Sequence, residues 1–404
     1  MSLARITPPR LRTLEEAKRT ATWLELFYDL AFVAAVAVMG VRLAHDVTWP
    51  SIASYLGYFA LVWWLWASYT FYADRYDTDD LIFRLLAGAQ IVGVVLIAVS
   101  LSQGEAGSTT AFSIGYTAVR LILLMLYGRA YRHVPETREL VRGYLTGFGA
   151  AAVLWFLSIF VSPPARFWVW ALAFAVDLAT PYVLRKVQAA VPLDVSHLPE
   201  RFGLFTILVL GEAIVAVTVG LGDISWQPAT TLVGLFGLGT ATCLWWIYFD
   251  HHEGSVVRRR GDQRNWRPTV WIYSHLPLAV AVAVFGLSVE IAITSADNGE
   301  YGRPQRWLLL GSIALALAAM ATIQSTLVRG DQARLRRSIV NHRLVGIPIV
   351  LALGLIPNLG VVWTLGLVTA IATAEVVAGL VAANPAGLRA ALAAFRGSGE
   401  NESG

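Results

Sequence analysis

Trp23-Leu-Glu-Leu-Phe-Tyr-Asp-Leu-Ala-Phe-Val33 is the stretch whose reading decides the fold. It sets two carboxylates, Glu25 and Asp29, at the mouth of a long apolar run. Four positions apart, they share one face of a helix. Acids that enter a membrane segment are costly and are kept mainly where something needs or neutralises them. The stretch returns, altered, as Leu198-Pro-Glu-Arg-Phe-Gly-Leu-Phe-Thr-Ile-Leu-Val-Leu-Gly-Glu212.

The composition surrounding these segments is that of a membrane. Of 404 residues 56% are hydrophobic and 14% charged, against about 25% charged in a soluble domain. The sequence therefore predicts an all-α, polytopic integral membrane protein. The single cysteine, Cys243, excludes an intrachain disulfide framework and any cysteine-based metal cluster. The amino end is basic and polar, with no apolar stretch before a small-residue cleavage site, so the first helix reads as an uncleaved anchor. A pI near 9.2 would suit nucleic acid, but the basic residues lie in short loops between apolar runs, which is a topology signal instead. No nucleic-acid partner is expected.

A span needs about 20 apolar residues. Twelve stretches qualify: 24–43, 51–72, 83–102, 112–131, 143–162, 166–185, 203–222, 229–249, 269–293, 307–327, 343–357 and 360–382. The stretch 343–357 is short and marked by Pro348 and Pro357, and reads as tilted, broken or re-entrant. With both termini on the inner side, the inner segments hold 26 of the 31 Lys and Arg residues. The outer side keeps Arg42, Arg166, Arg303 and Arg306, and Arg120 lies inside a span. This asymmetry predicts cytoplasmic termini. Trp49, Trp168, Trp226, Trp266 and Trp307 fall near span ends, where interfacial anchors belong.

The spans read as two copies of a six-helix unit. Glu25-Leu-Phe-Tyr-Asp29 answers Glu200-Arg-Phe-Gly-Leu204, and Trp63-Trp-Leu-Trp-Ala-Ser-Tyr-Thr-Phe-Tyr-Ala-Asp74 answers Leu244-Trp-Trp-Ile-Tyr-Phe-Asp250. Each half closes with an acid in its last helix, Asp177 and Glu375. The expected layout is an N-terminal segment (1–22), a first repeat (23–187), a linker (188–197), a second repeat (198–382) and a tail (383–404). An even number of spans per unit makes the repeats parallel.

The charged residues inside the spans are the candidate site. Asp29 lies about 6 Å deeper than Glu25 and needs a partner, in a structural ion pair or on an ion or proton path. Arg201 and Glu212 are eleven apart and share a face. Glu212 lies near mid-membrane, and Gly211 beside it would let another backbone approach closely. Arg120 keeps its proton and must pair inward or snorkel, with Asp177, Asp29 and Glu212 as candidate partners. Pro181 frees a carbonyl one turn earlier, at Asp177. Glu290 reads as interfacial. His275 reads as a proton carrier or a hydrogen-bonded packing residue. His251-His252-Glu253 has the wrong spacing for a zinc helix, so no metal and no cofactor are expected. The tryptophan clusters suit helix packing more than a cation–π ligand site.

Glu25-Leu-Phe-Tyr-Asp-Leu-Ala-Phe-Val33 resembles the E-L-F-[FY]-D-L-x-F-V opening of the bacterial low temperature requirement A (LtrA) family. His197-Leu-Pro-Glu-Arg-Phe-Gly-Leu-Phe-Thr-Ile-Leu-Val-Leu-Gly-Glu212 resembles its second hallmark, H-x-x-E-R-x-x-L-x-x-I-x-x-L-G-E. The resemblance covers about 20 to 382 and implies a bacterial inner-membrane protein, linked by the family's name to growth in the cold. The motif positions carried over are Glu25, Asp29, His197, Glu200, Arg201 and Glu212. In that frame Glu200 and Arg201 look like an inner-edge charge pair. A weaker similarity is to two-repeat potassium channels, which open each six-helix repeat with an Arg and Phe-Ser-Asp. Here Phe27-Tyr-Asp29 has that place in the first half only, and Phe202-Gly-Leu204 lacks the acid, which argues against a symmetric pore.

No Walker lysine loop, dinucleotide glycine motif, nucleophile elbow or TVGYG filter occurs. The leading expectation is a secondary transporter or ion-conducting protein, not an enzyme, with Asp29, Arg120 and Glu212 as a buried polar core between the repeats. If those groups are dry and mutually paired, that expectation loses support. The alternatives are a membrane-embedded lipid-modifying enzyme built on Glu25, His197, Glu200, Arg201, His251 and His252, and a sensor or scaffold whose basic inner loops bind anionic lipid.

Overall fold

The computed structural model describes residues 6–12, 21–102, 105–188, 190–191, 197–222, 227–250, 266–299, 301–327 and 333–383. His251, His252, Glu253 and Trp226 lie outside the described residues, as do parts of the basic loops, 189 and 192–196 of the linker, and 384–404 of the tail.

The described residues are almost all helical. The helices are α1 (Trp23–His45), α2 (Trp49–Arg75), α3 (Leu81–Ser102), α4 (Glu105–His133), α5 (Arg138–Ser158), α6 (Ala165–Val183), a single turn α7 (Arg185–Gln188), α8 (His197–Gly222), α9 (Pro228–Phe249), α10 (Arg267–Asn298), α11 (Arg303–Thr326), α12 (Ala333–Leu353) and α13 (Val361–Ala383). Nine of them, α1, α3, α4, α5, α8, α9, α10, α11 and α13, are long and apolar enough to cross a membrane. The chain is an integral membrane protein of the all-α class. The three long helices outside that set have visible reasons. Tryptophans, tyrosines and serines lower α2, α6 has 19 residues with Arg166 and Asp177 among them, and α12 starts in an arginine-rich segment.

That start is earlier than the sequence suggested. The stretch 343–357 belongs to a helix beginning ten residues upstream, which runs through Pro348 and ends at Leu353, with Pro357 in the following turns. Pro348 breaks nothing here.

Local chemistry fixes the helix ends. Thr22 caps α1 by accepting from the Glu25 N–H (3.3 Å), while Glu25 Oε2 accepts from the Thr22 N–H (2.8 Å). This reciprocal box satisfies two donors that a helix start leaves open. Thr48 caps α2, whose first turn holds Pro50, where a missing N–H costs nothing. At the end of α5, Arg166 donates to the carbonyls of Ser158 (3.0 Å), Val161 (2.7 Å) and Ile159 (3.3 Å) and to Thr109 Oγ1 (2.6 Å). The carbonyls a helix C-terminus leaves open are thus closed by a buried cation. A small antiparallel pair, β1 (Arg10–Leu11) with β2 (Tyr76–Asp77), sets Arg10 opposite Asp77 and extends the end of α2. Nothing in the apolar pattern announced it.

Two compact units divide inside α8: residues 1–209 with 254–269, and residues 210–253 with 270–404. In the first, α1 packs on α2 and α3, and α3 to α6 pack in succession. Residues 61 to 75, the aromatic half of α2, are buried on every face. Trp63, Trp64 and Trp66 are wholly enclosed. In the second unit, α9 packs on α13, and α11 and α13 flank α12. Trp245 and Trp246, read as counterparts of the α2 tryptophans, are 47% and 41% exposed. The two aromatic runs are therefore used differently.

Candidate functional site

The two quoted motifs meet in the first unit. α1 supplies Glu25 and Asp29 on one face, and the first turns of α8 supply His197 and Arg201. Arg201 Nε donates to Asp29 Oδ2 at 3.2 Å and its Nη2 donates to Oδ1. Its Nη1 lies 3.3 Å from Glu25 Oε1. α2 completes the cluster from its buried half: Trp66 Nε1 donates to Asp29 Oδ1 at 2.7 Å, and Asp74 Oδ1 lies 3.1 Å from His197 Nδ1. The other His197 nitrogen is 3.6 Å from Glu25 Oε2. All of Glu25, Asp29, Asp74, His197 and Arg201 are buried.

The setting is aromatic. Tyr28 stacks on Tyr69 with ring centroids 3.9 Å apart, and Trp66 packs against Phe202 (5.0 Å) and Phe205 (4.2 Å). Such walls keep water out and strengthen each charge pair. A bidentate guanidinium–carboxylate pair is the arrangement best suited to a dry interior. Chemically, the cluster is a clamp. Its acids are engaged by donors, and the motif residues tie α1, α2 and α8 together.

Glu200 does not join Arg201. Its Oε1 accepts from the Ala21 N–H at 3.2 Å, so it caps the approach to α1, and the expected Glu200–Arg201 pair is absent among the described residues. Successive helical residues point about 100° apart, which is why one turns inward and the other does not.

Of the three acids named for Arg120, Asp177 is its partner, at 2.9 Å with both side chains fully buried. Trp155 Nε1 approaches the same carboxylate at 3.4 Å. The guanidinium carbon lies 5.2 Å from the Phe148 ring centroid and 5.6 Å from that of Tyr116. Asp29 and Arg120 thus belong to separate ion pairs, and the joint polar core expected of them is not formed.

The second unit holds the remaining candidates. Glu212 on α8 is half-buried, with no hydrogen bond or ion pair among the described residues, and the charged group acting on it is another carboxylate, Glu290 of α10. The close backbone approach beside Glu212 exists, but Gly211 does not provide it. A Cβ at Gly211 would meet nothing, whereas one at Gly286 would lie 3.1 Å from the Ala213 backbone nitrogen. Glycine is required on α10, not on α8.

His275 is held on both sides, by the Trp271 carbonyl at Nδ1 (2.7 Å) and the Tyr248 hydroxyl at Nε2 (3.0 Å). Glu375 lies over Gly346, where a Cβ would collide with its Oε1, and it feels Arg343 and His342 as neighbouring cations. Arg343 itself donates to the Ile247 carbonyl at 3.1 Å. Among the described residues no cluster of His, Cys, Asp and Glu has the arrangement of a metal site.

Sequence reasoning had the motif residues but not Trp66 and Asp74 as their partners. Asp74 closed the quoted aromatic run, and its place at the end of an otherwise apolar helix was the available signal.

The sequence model described as bacterial low temperature requirement A protein (LtrA) matches residues 20–383. An uncharacterized protein of Rhizobium meliloti (strain 1021) is 25% identical over 296 residues, which is 70% of this chain and 72% of that protein.

Proposed function

The chain belongs to the bacterial low temperature requirement A (LtrA) family, and on that premise we propose that it is a secondary transporter or ion-conducting protein of the inner membrane with Glu212 as its titrating group. The twelve long helices act as two parallel six-helix repeats with both termini in the cytoplasm. One observation carries the reading. Each acid that is deeply buried in a span of the first unit is paired with a cation, Asp29 with Arg201 and Asp177 with Arg120, whereas Glu212 at span depth has no such partner among the described residues and faces the like charge of Glu290. A lone carboxylate in that setting takes up a proton or a cation. The separate dry pairs, Asp29 with Arg201 and Arg120 with Asp177, take these residues off the proposed conduction path and leave them a scaffold role.

The same pairing weighs against a lipid-modifying enzyme. Glu25, His197 and Arg201 are buried and engaged with one another, so their donors and acceptors are already taken.

The test is flux of Na⁺, K⁺ and H⁺ into liposomes carrying the purified protein. The expected result is flux above that of empty vesicles, lost in Glu212→Gln. Equal flux in wild type and empty vesicles counts against conduction of these ions.

A further inference from the structure

Arg75 ends α2 with its side chain enclosed and 2% of the residue exposed. Its Nε reaches the Val191 carbonyl at 3.4 Å. The guanidinium carbon lies 5.9 Å from the centroid of the Tyr144 ring. Both Nη nitrogens are buried and have no hydrogen-bond partner among the described residues. The other arginines among the largest fully buried side chains, Arg120 and Arg201, each have a carboxylate within 4 Å. Arg75 has none. The neighbouring polar groups are already committed: Asp74 turns to His197, and Tyr76 donates to Thr137 Oγ1 at 3.1 Å.

A guanidinium does not shed its charge. Buried without an oxyanion in contact with its Nη groups it is strongly destabilising, so a stable protein supplies one. Two adjacent unpaired Nη groups present parallel N–H donors, the fork that fits two oxygens of one oxyanion. A chloride would use that fork poorly. The place is also suited to phosphate: Arg75 sits where α2 leaves its helical run and joins the β1–β2 pair, beside Arg10 and Arg12, and the ends of membrane-crossing helices lie at the level of lipid phosphates.

We propose that Arg75, backed by the Tyr144 ring and positioned through Val191, is the receiving group of a binding site for a phosphate-type oxyanion, supplied as free phosphate or as a lipid headgroup. The site is separate from Glu212 and stands whether or not the protein conducts ions.

The test uses the full chain, delipidated in detergent and free of phosphate. Inorganic phosphate is titrated against sodium chloride of equal ionic strength while the melting temperature is followed. A parallel arm uses phosphatidylcholine nanodiscs with or without phosphatidylglycerol, with native mass spectrometry for retained lipid. Saturable stabilisation by phosphate assigns the free ion. Stabilisation and retention with phosphatidylglycerol alone assign the headgroup. In either case Arg75→Gln loses the response. Arg75→Lys keeps the charge without the fork, and it weakens binding by about tenfold, the equivalent of one charge-assisted hydrogen bond. If Arg75→Gln fails to fold, Arg75→Lys and the wild-type titration still decide. No response of wild type to either source, or an equal response in the variants, overturns the proposal. That is also the outcome if another side chain of the protein supplies the charge.

Discussion

Arg201 grips Asp29 with two nitrogens across 172 positions of sequence, through Nε to Oδ2 at 3.2 Å and Nη2 to Oδ1. The contact joins the first hallmark motif to the second, and both ends are shut away from solvent. A pair of this kind adds little net stability as such, but losing one partner strands the other. Asp29→Leu is therefore expected to destabilise by about 3–5 kcal/mol, and Arg201→Met comparably. Combining the two recovers part of the loss. Melting in detergent checks this, and losses that simply add, within about 0.5 kcal/mol, would show that the two residues are not coupled.

Trp66 tests the same clamp from α2. Its indole N–H meets Asp29 at 2.7 Å. Trp66→Phe removes that donor while leaving a ring against Phe202 and Phe205. The expected loss is about 1.5–3 kcal/mol, the range for a hydrogen bond to a charged group. A melting temperature equal to that of wild type is the result that sinks the assignment.

Arg120 and Asp177 form an independent pair in α4 and α6. Arg120→Lys does not rescue it, because an ammonium keeps the charge but loses the planar contact with Phe148 and Tyr116. Arg120→Met with Asp177→Leu is expected to be more stable than either single variant, since it removes both buried charges. Their thermal denaturation curves should rank in that order.

The α8–α10 approach separates two glycines. Gly286→Val forces side-chain carbons onto the Ala213 backbone and should destabilise by about 1–3 kcal/mol, the usual range for overpacking. Gly211→Ala meets open space and should be neutral or gain about 0.5–1 kcal/mol from its better helix propensity. Equal effects at the two positions would contradict the helix contact.

The capping box at Thr22 predicts a local effect. Thr22→Ala should cost about 1 kcal/mol and speed amide exchange in the first turn of α1. An unchanged exchange pattern there would mean the cap contributes nothing.

How much of this could be read in advance follows the physics. The long helices were legible because apolar run length sets a span, and α12 was misjudged where arginines hid its first three turns. The motif residues were legible as unusual charges in apolar surroundings. Their pairing was not, because no local period links Asp29 to a residue 172 positions away. Arg120 shows the limit well: three acids satisfied the sequence argument, and only packing chose Asp177. Gly211 was misread for the same reason. The short β1–β2 pair left no trace, since two residues carry no alternation to detect.

The enclosed half of α2 has a consequence for how the protein is made. A segment lined by Trp63 to Arg75, with no face left for lipid and too little hydropathy to stand among the nine apolar helices, is a poor client for one-at-a-time insertion. Asp74 would resist entry until His197 of α8 has arrived to receive it. Since His197 and Arg201 emerge from the ribosome more than a hundred residues after α2, the second helix must wait beside the translocon, or at the lipid surface, for a partner not yet synthesised. Assembly order is thus written into a single helix.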